Sequence, residues 1–435
     1  MDLAECDNLL KTPLFGAFVG VPMFLFGTSL GVARLTVLVF LTIILTFLSR
    51  KRLFSQLLII AIPVLFFKYQ VFQFSHFSLG EIPATVSILL GIYFLYLTYK
   101  PSYKEKDYIK LSLLAATFIS LAWYFKIQFI YILALGPAIA IERAFFAKNL
   151  NRRIIWLNGL VIAATTIFFL VLYTAVWYLP FKDTYDYMMA HQSGTFTLGP
   201  KTWEYIRFNT TYFMLSNGNQ AFFITFLVCF AIGIILLFRN TSSHFTIVFK
   251  TTLVWLLLEL HKLTMVYLPT RYQVSMFIAM GMIISIVLLE LFHQAEMGRK
   301  RWIVISLRTF LISWVIFLFI FNVNGYKNSY ENRSYHIREA NQYLSKTLDR
   351  DDVVIGAWAP SFTWDAKCRA IPVWGGFLND NDPLERFQPR IVVSEPDEQD
   401  SEQAYVKQGI DLAAASDSVR TFHIGSWEVS INWLK

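Results

Sequence analysis

The chain is a succession of long apolar runs separated by short polar stretches, most of them basic. Leu30 to Leu48 is the clearest run. It is long enough to cross a bilayer, which takes about 20 residues, and it ends at Ser49-Arg50-Lys51-Arg52. Leu57 to about Phe74 returns, and Ile82 to Leu97 crosses again to meet Lys100, Lys104, Lys106 and Lys110. Thr12 to Phe26 is apolar but short and broken by Pro13, Gly16, Gly20 and Pro22, so an interfacial or re-entrant segment suits its length better than a span. Ile154 to Trp177, Phe222 to Phe238, Thr246 to about Leu263, Val274 to Leu291 and Trp302 to Phe321 follow as further spans. Between Trp177 and Phe222 lies a long, polar, aromatic loop, Tyr178 to Asn217.

Leu111 to Ile141 is about half again too long for one span and too short for two. Both of its flanks are basic, with Lys106 and Lys110 before it and Arg143, Lys148, Arg152 and Arg153 after it. Flanks on the same side require the run to cross and come back, as two short helices meeting near Trp123-Tyr124-Phe125-Lys126. Lys126 then lines a cavity near the outer headgroups. With this run folded back, basic clusters fall on alternate loops throughout, and about ten crossings are expected.

After Asn322 the pattern changes. Glu339 to Leu348 is helical in period. Asp352 to Trp358 and Arg390 to Ser394 resemble buried strands, Ser401 to Gln408 a helix, and Val419 to Trp433 a closing hairpin. The expected fold class is therefore an α-helical polytopic membrane protein with a small C-terminal α/β domain outside the membrane. The expected division is residues 1–322 and 323–435.

Composition agrees: 56% of residues are apolar and only 16% charged, with a mean hydropathy of +0.49, which no ordinary soluble domain shows. Residues 331–435 hold 11 Lys and Arg against 17 Asp and Glu, net −6, so the chain's total of +8 leaves +14 for the membrane part. That basic excess sets topology and is no argument for nucleic-acid binding. Cys6, Cys229 and Cys368 show no metal spacing and demand no disulfide.

Ionisable residues in or beside spans are costly, roughly 2.5–3.5 kcal/mol at the bilayer centre, so each needs a reason. This topology puts Arg34, Lys68, His76, Glu81, Lys126, Glu259, His261, Lys262 and Arg271 towards the outer face, with His191, Asp183 and Asp186 in the external loop. Gly80-Glu81-Ile82-Pro83 has the look of a helix start with an acid in its first turn. Glu81 could merely complement the helix dipole, Lys68 and Arg34 could snorkel, and Glu259 and Lys262 could form a local ion pair. Taken together, one acid and several cations near one face suit a phosphate-bearing lipid. Arg binds phosphate oxygens in bidentate fashion, Lys as a point charge, and a nearby carboxylate can act as base. Asn209-Thr210-Thr211 is a formal glycosylation sequon of a kind common by chance.

Several of these stretches resemble a family. Phe26 to Leu35, with Phe26-Gly27, Ser29 and Ala33-Arg34-Leu35, resembles the "FG-x-S…AR-L" opening of a span in the GT-C membrane glycosyltransferases of the protein O-mannosyltransferase and aminoarabinose-transferase-like type. Ala122 to Lys126 resembles their "GLA-x-x-x-K" element, and Tyr267-Leu268-Pro269-Thr270-Arg271-Tyr272 their "P-x-R-Y" entry to a late span. Glu81 falls where members often carry an acid, and an α/β domain after the last span also occurs among them. The resemblance implies transfer of a sugar from a polyprenyl-phosphate donor to a glycan, lipid or protein acceptor outside the cytoplasm, by a multi-pass protein of the plasma or inner membrane whose C-terminal domain is extracytoplasmic. It implies that Lys126, Arg271, Tyr272 and Arg34 hold the lipid phosphate, and that Glu81 assists the acceptor or orients the sugar. Some relatives use a divalent metal, to which His191, His76 or Glu81 would contribute.

One departure stands out. The family opens with a further span and an external acidic motif, the best candidate for the base, and Asp2, Glu5 and Asp7 do not match it. A short gene model is the expected reason. A transporter or flippase of a lipid-linked or anionic substrate is the alternative, although the two related halves usual in transporters are not visible. A catalytically incomplete partner protein is the third reading.

Overall fold

The computed structural model describes residues 13–66, 80–99, 105–146, 151–183, 185–186, 199–215, 219–239, 241–265, 268–297, 301–331, 335–375, 379–396, 399–425 and 427–435. They belong to two compact units. One comprises Lys11–Trp177 and Thr195–Tyr326, the other Tyr178–Gly194 and Lys327–Lys435.

The first unit is helical throughout. Helix α1 (Pro13–Phe26) continues through Pro22, and α2 (Leu30–Ser49) follows after a three-residue corner. The corner explains the motif that marks it. Gly27 takes φ of +98°, open to glycine, and the Ser29 hydroxyl caps α2 by accepting from the Val32 N–H at 3.1 Å. Then come α3 (Arg52–Phe66), α4 (Glu81–Leu97) and α5 (Glu105–Phe125). The run expected to fold back does break at Lys126, whose backbone is extended between α5 and a 3₁₀ segment, Ile127–Ala134, leading into α6 (Leu135–Phe146). The first limb is longer than expected, because the helix starts at Glu105, well inside the polar stretch, and runs for 21 residues. Helices α7 (Arg152–Tyr173), α8 (Thr202–Thr210), α9 (Asn219–Leu237), α10 (Ser243–Leu260), α11 (Val274–Met297) and α12 (Arg301–Glu331) complete the series.

Among the described residues, seven helical segments are long and apolar enough to cross a membrane, and α1, α3 and α4 are shorter apolar helices. The protein is thus a multi-pass membrane protein. The spanning helices are largely apolar all round, which suits either lipid or a protein interior, and packing sorts them. Helix α4 is enclosed along nearly its whole length, and so is α11, whereas α2, α7 and α9 present most of their surface outward. Close approach of α4 to α5 depends on Gly91, where a Cβ would stand 2.5 Å from the Ile119 side chain. At the far end of α4 from Glu81, the buried Arg143 guanidinium donates to the Thr98 hydroxyl at 2.8 Å, and Lys250 meets Glu142 at 2.6 Å.

In the second unit, α13 (Ile337–Thr347) precedes a five-stranded sheet of β1 (Val353–Gly356), β2 (Arg369–Pro372), β3 (Ile391–Ser394), β4 (Ser416–Ile424) and β5 (Trp427–Leu434). The order is β2-β1-β3-β5-β4, with β2, β1 and β3 parallel and the β4–β5 hairpin antiparallel. Val354, Val393, Val429 and Ile431 pack on one face with Ala340, Leu344 and Phe362. Ile355, Val392 and Ile371 pack on the other with Phe387 and Tyr405. The expected strands, helices and hairpin are present. Strand β2, only Arg-Ala-Ile-Pro, was not expected.

Candidate functional site

Glu81 is the first residue of α4 and 2% exposed, and two cations from elsewhere in the chain reach it. Lys126 Nζ lies 3.2 Å from its Oε1, and Arg271 Nε lies 3.7 Å from the same atom. The Tyr272 ring stands beside both, 5.6 Å from Lys126 Nζ and 5.2 Å from the Arg271 guanidinium carbon. Neither carboxylate oxygen receives a hydrogen bond of good geometry among the described residues, and both cations keep a path to solvent. The charges are therefore paired but not saturated.

Local sequence builds each arm. Gly80 stands where a Cβ would meet the Phe125 carbonyl oxygen at 2.5 Å and Lys126 Cδ at 3.5 Å, so only glycine lets the head of α4 abut the break after α5. The extended backbone of Lys126 then turns its side chain towards Glu81. Arg271 and Tyr272 ride on a 3₁₀ turn, Thr270–Gln273, opened by Pro269, whose carbonyl accepts from the Tyr272 N–H at 2.9 Å. Arg34 is placed nearby through its helix: one turn on, Val37 packs against Ile82, Val86 and Val274, the first turns of α4 and α11.

A second buried pair lies behind the first. Glu259, fully buried, accepts from the Tyr131 hydroxyl at 2.6 Å, the Trp255 indole at 3.0 Å and the Ser275 hydroxyl at 2.6 Å through Oε1. Its Oε2 accepts from Lys262 Nζ at 2.6 Å, and that ammonium also donates to the Tyr272 carbonyl at 2.9 Å. The Phe129 and Tyr131 rings lie 4.7 and 5.2 Å from it. This is the expected local ion pair, and its contact with Tyr272 makes it a fixed wall for the turn that carries Arg271.

Sequence reading missed two residues of this region. Tyr131 gave no signal beyond one aromatic among many. Gln273 is wholly buried, and both ends of its amide lack a hydrogen-bond partner among the described residues. A glutamine immediately before a long apolar run was the only clue. His76, Lys68 and His191 lie outside the described residues, as do Asp2, Glu5 and Asp7. Asp186, in the other unit, is bound by Lys182 at 2.9 Å and Tyr178 at 3.0 Å. The sequon asparagine Asn209 is buried and donates to the carbonyls of Leu263 and Met265, so its amide serves the fold. Among the described residues no group of three or more His, Cys, Asp and Glu is assembled.

The helical arrangement is a GT-C type fold. No protein-family model and no curated protein sequence matches the chain. Among solved structures, it is similar to ArnT from Cupriavidus metallidurans bound to undecaprenyl phosphate, with a TM-score of 0.59, 11% identity, and coverage of 98% of this chain and 92% of that one. The apo form of the same protein aligns at 0.58 with 12% identity over the same shares. An apo oligosaccharyltransferase from Archaeoglobus fulgidus aligns at 0.49 with 12% identity, over 89% of this chain and 62% of that one.

Proposed function

We propose that the protein is an integral membrane glycosyltransferase that moves a sugar from a polyprenyl-phosphate donor to an acceptor on the extracytoplasmic side, where the C-terminal domain also lies. The observation that carries this reading is the buried Glu81 carboxylate with Lys126 and Arg271 both within 4 Å of it, inside a GT-C fold. The ArnT structure of like fold holds undecaprenyl phosphate, which supports a ligand of that class.

In this reading the acceptor's hydroxyl oxygen bonds to the sugar's anomeric carbon as the bond between that carbon and the phosphate oxygen breaks, and the electron pair of the broken bond stays on the phosphate. Lys126 and Arg271 stabilise the charge that develops there. Such fixed donors strengthen as the transition state forms and need no reorganisation at that moment. Arg34, half-buried one turn from Val37, would add a further contact to the lipid phosphate. Glu81 holds both cations in place before the donor arrives. Once phosphate engages them, its carboxylate is released to take the proton of the attacking hydroxyl. The Tyr272 ring packs beside both cations and limits their freedom.

The test uses membranes containing the full chain and a polyprenyl-phosphate-linked sugar. Glu81→Gln and Lys126→Ala should each abolish sugar transfer while protein yield and melting temperature hold. Undiminished transfer in both variants would remove this site.

A further inference from the structure

The C-terminal domain has a feature that the transfer site does not use. Strands β2, β1 and β3 are parallel, and the connections that leave β1 and β3 do so on opposite faces. After β1 the short helix Ala359–Phe362 packs with Phe362 on one face, and after β3 the helix Gln399–Val406 packs with Ala404 and Tyr405 on the other. The carboxyl ends of β1 and β3 are therefore a topological switch point, where open α/β sheets leave a crevice for ligands.

Three tryptophans gather at that edge. Trp358 follows β1, Trp374 follows β2, and Trp427 opens β5, which runs antiparallel to β3 and projects past its end. The Trp358 ring centroid lies 5.3 Å from Trp374 and 6.1 Å from Trp427. Trp427 is 41% exposed and the other two partly so. Polar groups end on the same edge. Asn379, 2% exposed, donates to the carbonyl of Pro372 at the end of β2, while its Oδ1 has no hydrogen-bond partner among the described residues. The Trp358 indole N–H is likewise buried without one. Glu395, directly after β3, is held in place by the Ser401 hydroxyl. Gly356 makes the end of β1 this tight: its φ is +147°, and a Cβ there would fall 2.0 Å from the Val393 carbonyl oxygen.

We propose that this edge is a saccharide-binding crevice, with Trp358, Trp374 and Trp427 offering indole faces and Asn379 and Glu395 offering hydrogen bonds. A pyranose has one face of C–H groups that packs on an indole and a rim of hydroxyls that both donate and accept, which matches an apolar lining with few convergent polar groups. A phosphate-bearing ligand fits poorly. The helix after β1 is a single turn of Ala359–Phe362, with no glycine-rich loop before it, and no Lys or Arg is among the groups named at this edge. The assignment is independent of the transfer chemistry at Glu81.

The experiment presents the detergent-purified full chain to immobilised neutral tri- to hexasaccharides, of α- and β-linked hexose and N-acetylhexosamine series. At least one series should retain the protein. Trp427→Ala should cut retention tenfold or more at an unchanged melting temperature, Trp427→Phe should restore part of it, and Trp364→Ala, an exposed tryptophan outside the trio, should change nothing. Glu81→Gln should bind as well as the wild type. Absence of retention on every series, equal retention by Trp427→Ala, or loss of retention in Glu81→Gln would each overturn the assignment.

Discussion

Two buried glutamates with lysine partners meet through Tyr272, whose ring flanks Lys126 and whose carbonyl accepts from Lys262, and they are built to opposite ends. Glu259 accepts four hydrogen bonds, and its lysine donates a further one to the Tyr272 carbonyl. Glu81 has two cations at 3.2 and 3.7 Å and no well-formed hydrogen bond among the described residues, and its partners reach solvent. A saturated pair is a structural part: exchanging a ligand into it would break contacts with no compensation. An unsaturated pair beside water can trade one partner for another at small cost. The difference separates a fixed pair from an exchangeable one more clearly than residue type does, since both contain the same Glu and Lys.

That contrast can be broken by mutation. The largest effect is expected from Glu259→Ala, which strands the Lys262 ammonium in the interior. Loss of one partner of a buried pair costs about 3–5 kcal/mol, so the detergent-solubilised protein should melt far lower or fail to accumulate. A melting temperature close to wild type would show that the pair is not the wall described. Next, Gly80→Ala drives a methyl group into the Phe125 carbonyl, at a cost of about 1–3 kcal/mol for overpacking. It should also push Glu81 away from Lys126 and lower transfer, and retained full activity would argue against close registry of the two. Glu81→Gln and Lys126→Ala come third on the stability scale. Their melting temperatures should move little, while transfer is lost.

The smallest effect lies outside the membrane. Burial alone would raise the Asp352 carboxyl, but the Arg390 guanidinium at 2.7 Å and the Asp349 N–H outweigh it and hold the group below its ordinary value. A carboxylate so depressed stabilises the fold above its unfolded value of about 3.9. That contribution fades as pH falls through the lower folded value. Asp352→Asn should thus flatten the melting-temperature profile of the C-terminal domain between pH 5 and pH 2, by less than about 1 kcal/mol for a partly exposed pair.

What was legible from the sequence follows the same physics. The break at Lys126 could be read because a run of apolar residues must match a bilayer thickness, and this one did not. The approach of Glu81, Lys126 and Arg271 could be read from cost, since cations beside spans need a partner. Which helices are enclosed could not be read: α4 and α2 are both apolar on every side, and only packing tells protein from lipid. Gly80 gave no hint of its contact with Phe125, a meeting between residues far apart in the chain. Strand β2, four residues ending at Pro372, was too short to show an alternation. The tryptophans were visible as residues, but their convergence depends on the parallel order of the sheet.

The enclosure of α4 also bears on depth. Seventeen residues of helix measure about 25 Å, against a hydrocarbon layer of about 30 Å, and a rod shielded by neighbours is under no obligation to reach both surfaces. Its acidic tip can therefore sit below the level of the surrounding headgroups. In the proposed reaction a lipid phosphate drawn to that tip would leave the headgroup plane, and the sugar it carries would stand at the water boundary.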